Sequence, residues 1–143
     1  MTQQTVLVTG AHLQTGYCTA RSLAGIDDEI VGLSANPYSR FSTSRFWDRI
    51  VTVGKSMAAH LDKLIELGKT STTKMTLFAA QDEVVQLMSD NRGRLAEYYN
   101  FCLPDRKAVD LMMDKTIFHP WAAARGFLVP ESHIVESPEK LDH

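Results

Sequence analysis

Cysteine is scarce in this sequence. Its two residues, Cys18 and Cys102, fit no metal-ligand spacing, which leaves them as plain thiols suited to a core. No apolar run approaches the ~18–20 residues that span a bilayer. The start, Met1 to Thr5, is polar and leads straight into an apolar run, without the charged and apolar regions of a signal peptide. Membrane insertion and secretion drop out, and the cytoplasm is the default compartment. Charge is equally spare: a net −2 denies the chain the basic face that nucleic acid binding needs. No internal repeat and no low-complexity stretch is present. What remains is ordinary globular material, 44% hydrophobic and 22% charged, in a length that favours one domain. A chain of about 150 residues buries roughly 68–70% of the surface its unfolded form exposes. It folds without metal or disulfide staples.

The stretch Thr5 to Gly16, Thr-Val-Leu-Val-Thr-Gly-Ala-His-Leu-Gln-Thr-Gly, organises the rest. It reads as a buried strand, Val6 to Thr9, a loop bracketed by two glycines, and a helix over about 15 to 25 with Gly25 closing it. Further strands are expected at Glu29–Ser34, Arg49–Val53, Met75–Ala79 and Tyr98–Leu103, the last stopped by Pro104. Helices are expected over Met57–Lys69 and Asp82–Asp90, and a short one over 41–47, where Phe41, Phe46 and Trp47 are apolar. Strands and helices thus alternate from residue 5 to about 103. The pattern predicts an α/β fold with a doubly wound, Rossmann-like parallel sheet of about five strands and helices on both faces. Ligands of such sheets sit beyond the carboxyl ends of the strands, where strand order reverses. Here those ends are Gly10 and Ala11, Ser34 to Pro37, Gly54, and Ala80 and Gln81.

From Asp105 the pattern changes. Asp105–Met113 is a short helix. Asp114 caps a second that runs to Arg125 and is closed by Gly126, with Pro120 inside it as a kink or a delayed start. Phe127–Pro130 is extended and Ser132–Val135 strand-like. Ser137-Pro138-Glu139 then has the serine cap, proline and first-turn acid of a helix start, about one turn before His143. The division expected is therefore 1–104, a Rossmann-like domain, and 105–143, a helical linker that opens a truncated further domain.

A strand, a Gly-bracketed turn and a helix start converge free N–H groups on one spot, an anion site. Thr9-Gly10-Ala11 followed by Gly16 resembles the turn of short-chain dehydrogenases and epimerases, but Leu13 replaces the middle glycine that lets a pyrophosphate approach. No acid follows strand two to hold a ribose diol, although Arg40 there suits a 2′-phosphate. No Tyr-x-x-x-Lys pair exists. An NAD(P)-binding Rossmann module is accordingly the second reading.

Leu103 to Glu131 contains Asp114-Lys115, Phe118, the alanines Ala122 to Ala124, and Gly126-Phe127-Leu128-Val129-Pro130. This order resembles the entry into the ATP-binding part of ATP-grasp ligases. Upstream, Ser44-Arg45-Phe46 followed by Ile50-Val51-Thr52-Val53, and Asp82-Glu83-Val84-Val85, resemble the N-terminal (pre-ATP-grasp) domain of the carboxylate–amine ligases of that superfamily. The resemblance implies a substrate-side domain, not catalytic alone, of an enzyme that works through an acyl phosphate. It implies a substrate cradle of Gly10, Ala11, Thr15 and Gly16 for a small carboxylate or amine, with Arg40 assisting as a bidentate carboxylate partner. It implies that Lys115 touches ATP phosphates, and that ATP and Mg²⁺ belong to the complete enzyme, with the missing ATP-grasp domain as partner and neither bound tightly by this chain alone. No Glu-x-Asn metal element occurs, and no catalytic or metal-binding residue is assigned.

Each of these residues also has a plainer reading. A lysine near a helix start is ordinarily a solvated charge, and a loop histidine such as His12 ordinarily a hydrogen-bonding bystander. Met112, Met113 and the aromatics suit a core or a domain interface. A third reading, of another class, is a non-catalytic domain kept for dimerisation, which makes the chain a homodimer.

Overall fold

A computed structural model describes residues 4–131. The described residues form two compact units that part at Pro104. In the first, five parallel strands, β1 (Thr5–Thr9), β2 (Glu29–Ser34), β3 (Arg49–Thr52), β4 (Met75–Phe78) and β5 (Tyr99–Asn100), lie in the order β3-β2-β1-β4-β5. Helix α1 (Gln14–Ser22) follows β1, α2 (Met57–Thr70) follows β3, and α3 (Asp82–Asp90) and the short α4 (Arg92–Leu95) follow β4. This is the doubly wound α/β architecture that the alternation predicts, and strand order reverses between β1 and β4.

Alternation along β1 divides the core. Leu7 points into a layer with Val31, Leu33, Leu64, Leu77, Val84, Met88, Leu95 and Tyr99, built from β2, β4, β5 and helices α2 to α4. Val6 and Val8 point to the opposite face, with Ala20 of α1, Ile30 and Trp47. Because both faces of β1 are covered, it reads as a continuous apolar run rather than an alternating one. On α2 the residues turned inward are His60, Leu64 and Gly68, four apart on one stripe. Ser56 caps this helix by accepting from the Ala59 N–H at 3.2 Å.

Several expectations shift at their edges. The 41–47 segment is a series of turns, not a helix. Its hydroxyls take over the backbone: the Ser42 N–H donates to Ser39 Oγ, the Phe46 N–H to Ser44 Oγ, and Thr43 Oγ1 to the Ser39 carbonyl. Such local bonds compete with a helical ladder. Its apolar side chains still pack as the composition suggests, with Trp47 8% exposed and its indole N–H on the Phe41 carbonyl at 2.8 Å. The fifth strand pairs only through Tyr99 and Asn100, and the chain then leaves the ladder, with the Leu103 and Pro104 carbonyls held by Arg92. Both cysteines are exposed. Cys18 faces outward because the buried stripe of α1 runs through Gly16 and Ala20.

The second unit, taken by itself, packs α5 (Arg106–Met113) on α6 (Lys115–Ala123). Asp105 caps α5 through the Ala108 N–H at 2.9 Å, and Asp114 caps α6 through the Thr116 N–H at 2.8 Å. Helix α6 runs through Pro120 as one element. Phe118, Trp121 and Phe127 stack in series, and the Arg125 guanidinium lies 4.2 Å from the Trp121 ring centroid. Met112 is exposed rather than core. The strand-like run 132–135 and the helix start at 137–139 lie outside the described residues.

Tyr99 ties the sheet edge to α2. Its hydroxyl donates to the Leu64 carbonyl at 2.6 Å in the buried layer, and burial pushes its phenol well above the usual range. Native Tyr99 therefore keeps its proton where the unfolded chain gives one up. The stability it contributes is intact below about pH 10 and is lost as pH rises beyond that. Tyr99→Phe is expected to cost about 1 kcal/mol at neutral pH and to flatten the alkaline fall, as read by urea unfolding from pH 7 to 11.

Candidate functional site

The crevice at the β1/β4 reversal is where this architecture places ligands, and the residues around it are closely tied. Gly10 ends β1 with φ +65°, a left-handed conformation that a Cβ disfavours. Gly16 is required for a different reason: a Cβ there would lie 2.4 Å from the Gly10 carbonyl oxygen. The two glycines thus bring the first turn of α1 against the end of β1. Ala11 is fully buried and its N–H donates to the Leu33 carbonyl at 3.0 Å. Thr15 spans the crevice, its hydroxyl donating to the Ala80 carbonyl at 2.8 Å, while the Ala80 N–H donates to Thr9 Oγ1 at 3.2 Å. Gly10, Ala11, Thr15 and Gly16 are therefore brought together as one turn, but Ala11 spends its N–H and Thr15 its hydroxyl inside the protein.

The groups left open are backbone ones. Leu13 occupies the N-cap of α1 without a side-chain cap, and the first helical bond is the Tyr17 N–H to the Leu13 carbonyl. The N–H groups of Gln14, Thr15 and Gly16 precede it. No acid lies in this first turn. Across the crevice, α3 begins with Asp82 and Glu83, which answer the positive end of their own helix. The open positive end at the reversal is that of α1.

Gln81 closes much of the turn. Its side-chain atoms lie 3.0 to 3.2 Å from where a Gly10 Cβ would stand, and its Oε1 is buried without a hydrogen-bond partner. A pyrophosphate approaching the Gly10 backbone would have to displace it. Gln81 gave no signal as a cover in the sequence, because only the pairing of β4 with β1 sets it above Gly10.

His12 joins the first loop to the one after β2. Its Nδ1 accepts from the Ala35 N–H at 3.3 Å, and its carbonyl accepts from Ser39 Oγ at 3.3 Å. Behind it, Ser34 and Ser42 share a buried 2.8 Å hydroxyl pair, and Ser42 Oγ reaches the Asn36 carbonyl. Burial, and to a smaller extent the neighbouring His60, hold the His12 imidazole below its usual pKa. His60 is itself buried, with Nδ1 on the Ser56 carbonyl at 3.0 Å and Nε2 without a partner.

Arg40 is exposed, its guanidinium 4.7 Å from the Phe41 ring centroid. Phe41 in turn packs on Tyr17 at 5.6 Å, so an aromatic stack links Arg40 to α1. Lys115 lies in the second unit, exposed at the first position of α6. Beside it, the two bonds from Thr116 hold the Asp114 carboxyl below its usual range. Among the described residues, no group of three metal-ligating side chains occurs and no helix is long and apolar enough to cross a membrane.

Two outcomes follow from this geometry. Gly16→Ala forces a methyl group onto a carbonyl oxygen and is expected to cost about 1–3 kcal/mol in urea unfolding. His12 has a depressed native pKa, so its contribution is present above pH ~6.5 and lost as pH falls through the native value. His12→Gln, which keeps an acceptor for Ala35, is expected to flatten that acid limb in unfolding measured from pH 7 down to 4.

No protein-family model and no curated protein matches the sequence. Among solved structures, the biotin carboxylase domain of a single-chain bacterial carboxylase aligns with 96% of this chain at a TM-score of 0.57 and 18% identity. The chain spans only 33% of that structure's length. At this identity the likeness is one of fold, and the five-stranded parallel sheet with its flanking helices is an arrangement that the two proteins share.

Proposed function

We propose that this chain is the substrate-side, pre-ATP-grasp domain of an ATP-dependent ligase that joins a carboxylate to an amine through an acyl phosphate. The observation that carries the reading is the open N-terminus of α1 at the strand reversal, three N–H groups with no side-chain cap and no acid beside them. Such an end favours a carboxylate by ~0.3–1 kcal/mol where exposed. In support, the order of Asp114-Lys115, Phe118 and Gly126 to Pro130 resembles ATP-grasp enzymes, and the chain corresponds in fold to a third of a larger carboxylase domain.

In this reading Gly10 and Gly16 shape the cradle and Ala11 and Thr15 pin it to β2 and β4. The Gln14–Gly16 amides receive the substrate carboxylate, with Arg40 assisting from the next loop. ATP and Mg²⁺ act in the complete enzyme, where ATP supplies the phosphoryl group that activates the carboxylate. Lys115 fits a phosphate contact as an exposed ammonium at a helix start. Because Asp114 already occupies the cap of α6, the contact falls to the lysine side chain and not to the helix amides. The compartment in this reading is the cytoplasm.

The test is to titrate the chain with short carboxylates and with matched amines while following its backbone amides by NMR. Carboxylates are expected to shift Gln14, Thr15 and Gly16 in a salt-sensitive way, and ATP with magnesium to show no turnover. Magnesium-dependent ATP hydrolysis by these 143 residues, or submicromolar NADPH binding by calorimetry, would overturn the assignment.

A further inference from the structure

The ladder between β4 and β5 stops early. Met75 pairs with Tyr99 and Thr76 with Asn100, and the register ends there, while Leu77 and Phe78 of β4 are still paired to β1. Along a strand held between two parallel neighbours, alternate residues turn their N–H and C=O groups to alternate sides. The Met75 N–H donates to the Tyr98 carbonyl at 3.0 Å, so Met75, Leu77 and Ala79 form the row that faces β5. Beyond Asn100 that row meets no strand. Among the described residues, neither the Leu77 carbonyl nor the Ala79 N–H has a hydrogen-bond partner. Leu77 is buried and Ala79 half-buried, and open backbone groups at such positions are uncommon in folded proteins.

The same parting opens a cavity of about 430 Å³ within the first unit. Val85 and Met88 of α3 line it from the helix layer, and Phe101 and Leu103 from the departing run, whose end Arg92 holds by the Leu103 and Pro104 carbonyls. A largely apolar space of this size with a few placed polar groups is the usual form of a small-molecule site. Phe101 and the Met88 thioether suit the faces of a flat ring. No lining residue is charged, which favours a neutral ligand. The open row of β4 offers one acceptor beside one donor. That is too short a row for an added strand, but it matches a ring edge that carries an N–H next to a bare nitrogen.

We propose that the gap between β4 and the run after β5 binds a flat, neutral nitrogen heterocycle through its donor–acceptor edge. The ring N–H donates to the Leu77 carbonyl, the neighbouring ring nitrogen accepts from the Ala79 N–H, and the faces pack between Met88 and Phe101. Cys102, an exposed thiol, stands at the rim. The inference is independent of the ligase reading, which concerns the first turn of α1 and Lys115.

The experiment titrates the full chain with 7-azaindole, whose edge has this N–H and nitrogen side by side, and follows the backbone amides by NMR. Alkylation of Cys102 and Cys18 by iodoacetamide, resolved by peptide mass spectrometry, is followed in parallel. Saturable shifts are expected at Leu77, Phe78, Ala79, Asn100, Phe101 and Cys102, with alkylation slowed at Cys102 and unchanged at Cys18. Indole, which lacks the acceptor, and 1-methyl-7-azaindole, which lacks the donor, are each expected to bind about tenfold more weakly, the equivalent of one lost hydrogen bond. Ala79→Pro removes the protein's donor and is expected to weaken 7-azaindole by a similar factor. Val85→Phe, which fills the cavity and leaves the backbone row untouched, is expected to abolish binding. Amide shifts of β1 and β2 report whether the sheet remains folded in each variant. No saturable shift with 7-azaindole, equal affinity for indole, shifts centred away from β4 and the run after β5, or unchanged binding by a folded Val85→Phe would overturn the proposal.

Discussion

The carbonyl oxygen of Gly10 lies where the side chain of residue 16 would have to be, and much of the first unit follows from that contact. It brings α1 down onto the end of β1, so that Ala20 meets Val6 and Val8 on one face of the sheet. It leaves Leu7 to the other face, where α2, α3 and α4 close the larger layer. The same contact aims the uncapped first turn of α1 at the strand reversal. A glycine at this position is needed by the protein's own packing, whether or not a ligand ever approaches it.

This changes the meaning of the glycine pattern. In a dinucleotide turn, glycines serve the tight turn, the approach of the pyrophosphate and the packing of helix on strand. Here the first and last of these jobs are filled by Gly10 and Gly16. The middle job is not: Leu13 stands at the N-cap, and Gln81 lies across the Gly10 backbone. What survives is the uncapped start of α1, with acids only on the opposite wall. In the ligase reading proposed above, that helix start receives one carboxylate rather than a phosphate chain.

The hydroxyl-rich segment after β2 shows the limit of reading by composition. Phe41, Phe46 and Trp47 signal burial correctly, and Trp47 is buried. Yet Ser39, Ser42, Thr43 and Ser44 decide the backbone, bonding it locally into turns. Apolar content reports where a segment packs, whereas its hydroxyls report whether a helix can compete. Cys18 teaches a related point. A thiol on an amphipathic helix is inside or outside according to phase, and the phase of α1 is set by the glycine contact.

Elements, fold class and the location of the crevice were legible in the sequence. Alternating apolar runs and helical stripes, punctuated by Gly10, Gly25, Pro104 and Gly126, are local signals, and each residue carries its own. The glycine-bracketed strand end was marked in the sequence as well, and the fold sets it at the reversal between β1 and β4. Tertiary structure decided what no single segment carries. It set Thr15 against Ala80, Gln81 over Gly10, His12 beside the loop after β2, and Arg92 on the carbonyls of Leu103 and Pro104. Those contacts join residues brought together only by strand order, and strand order is a property of the assembled sheet.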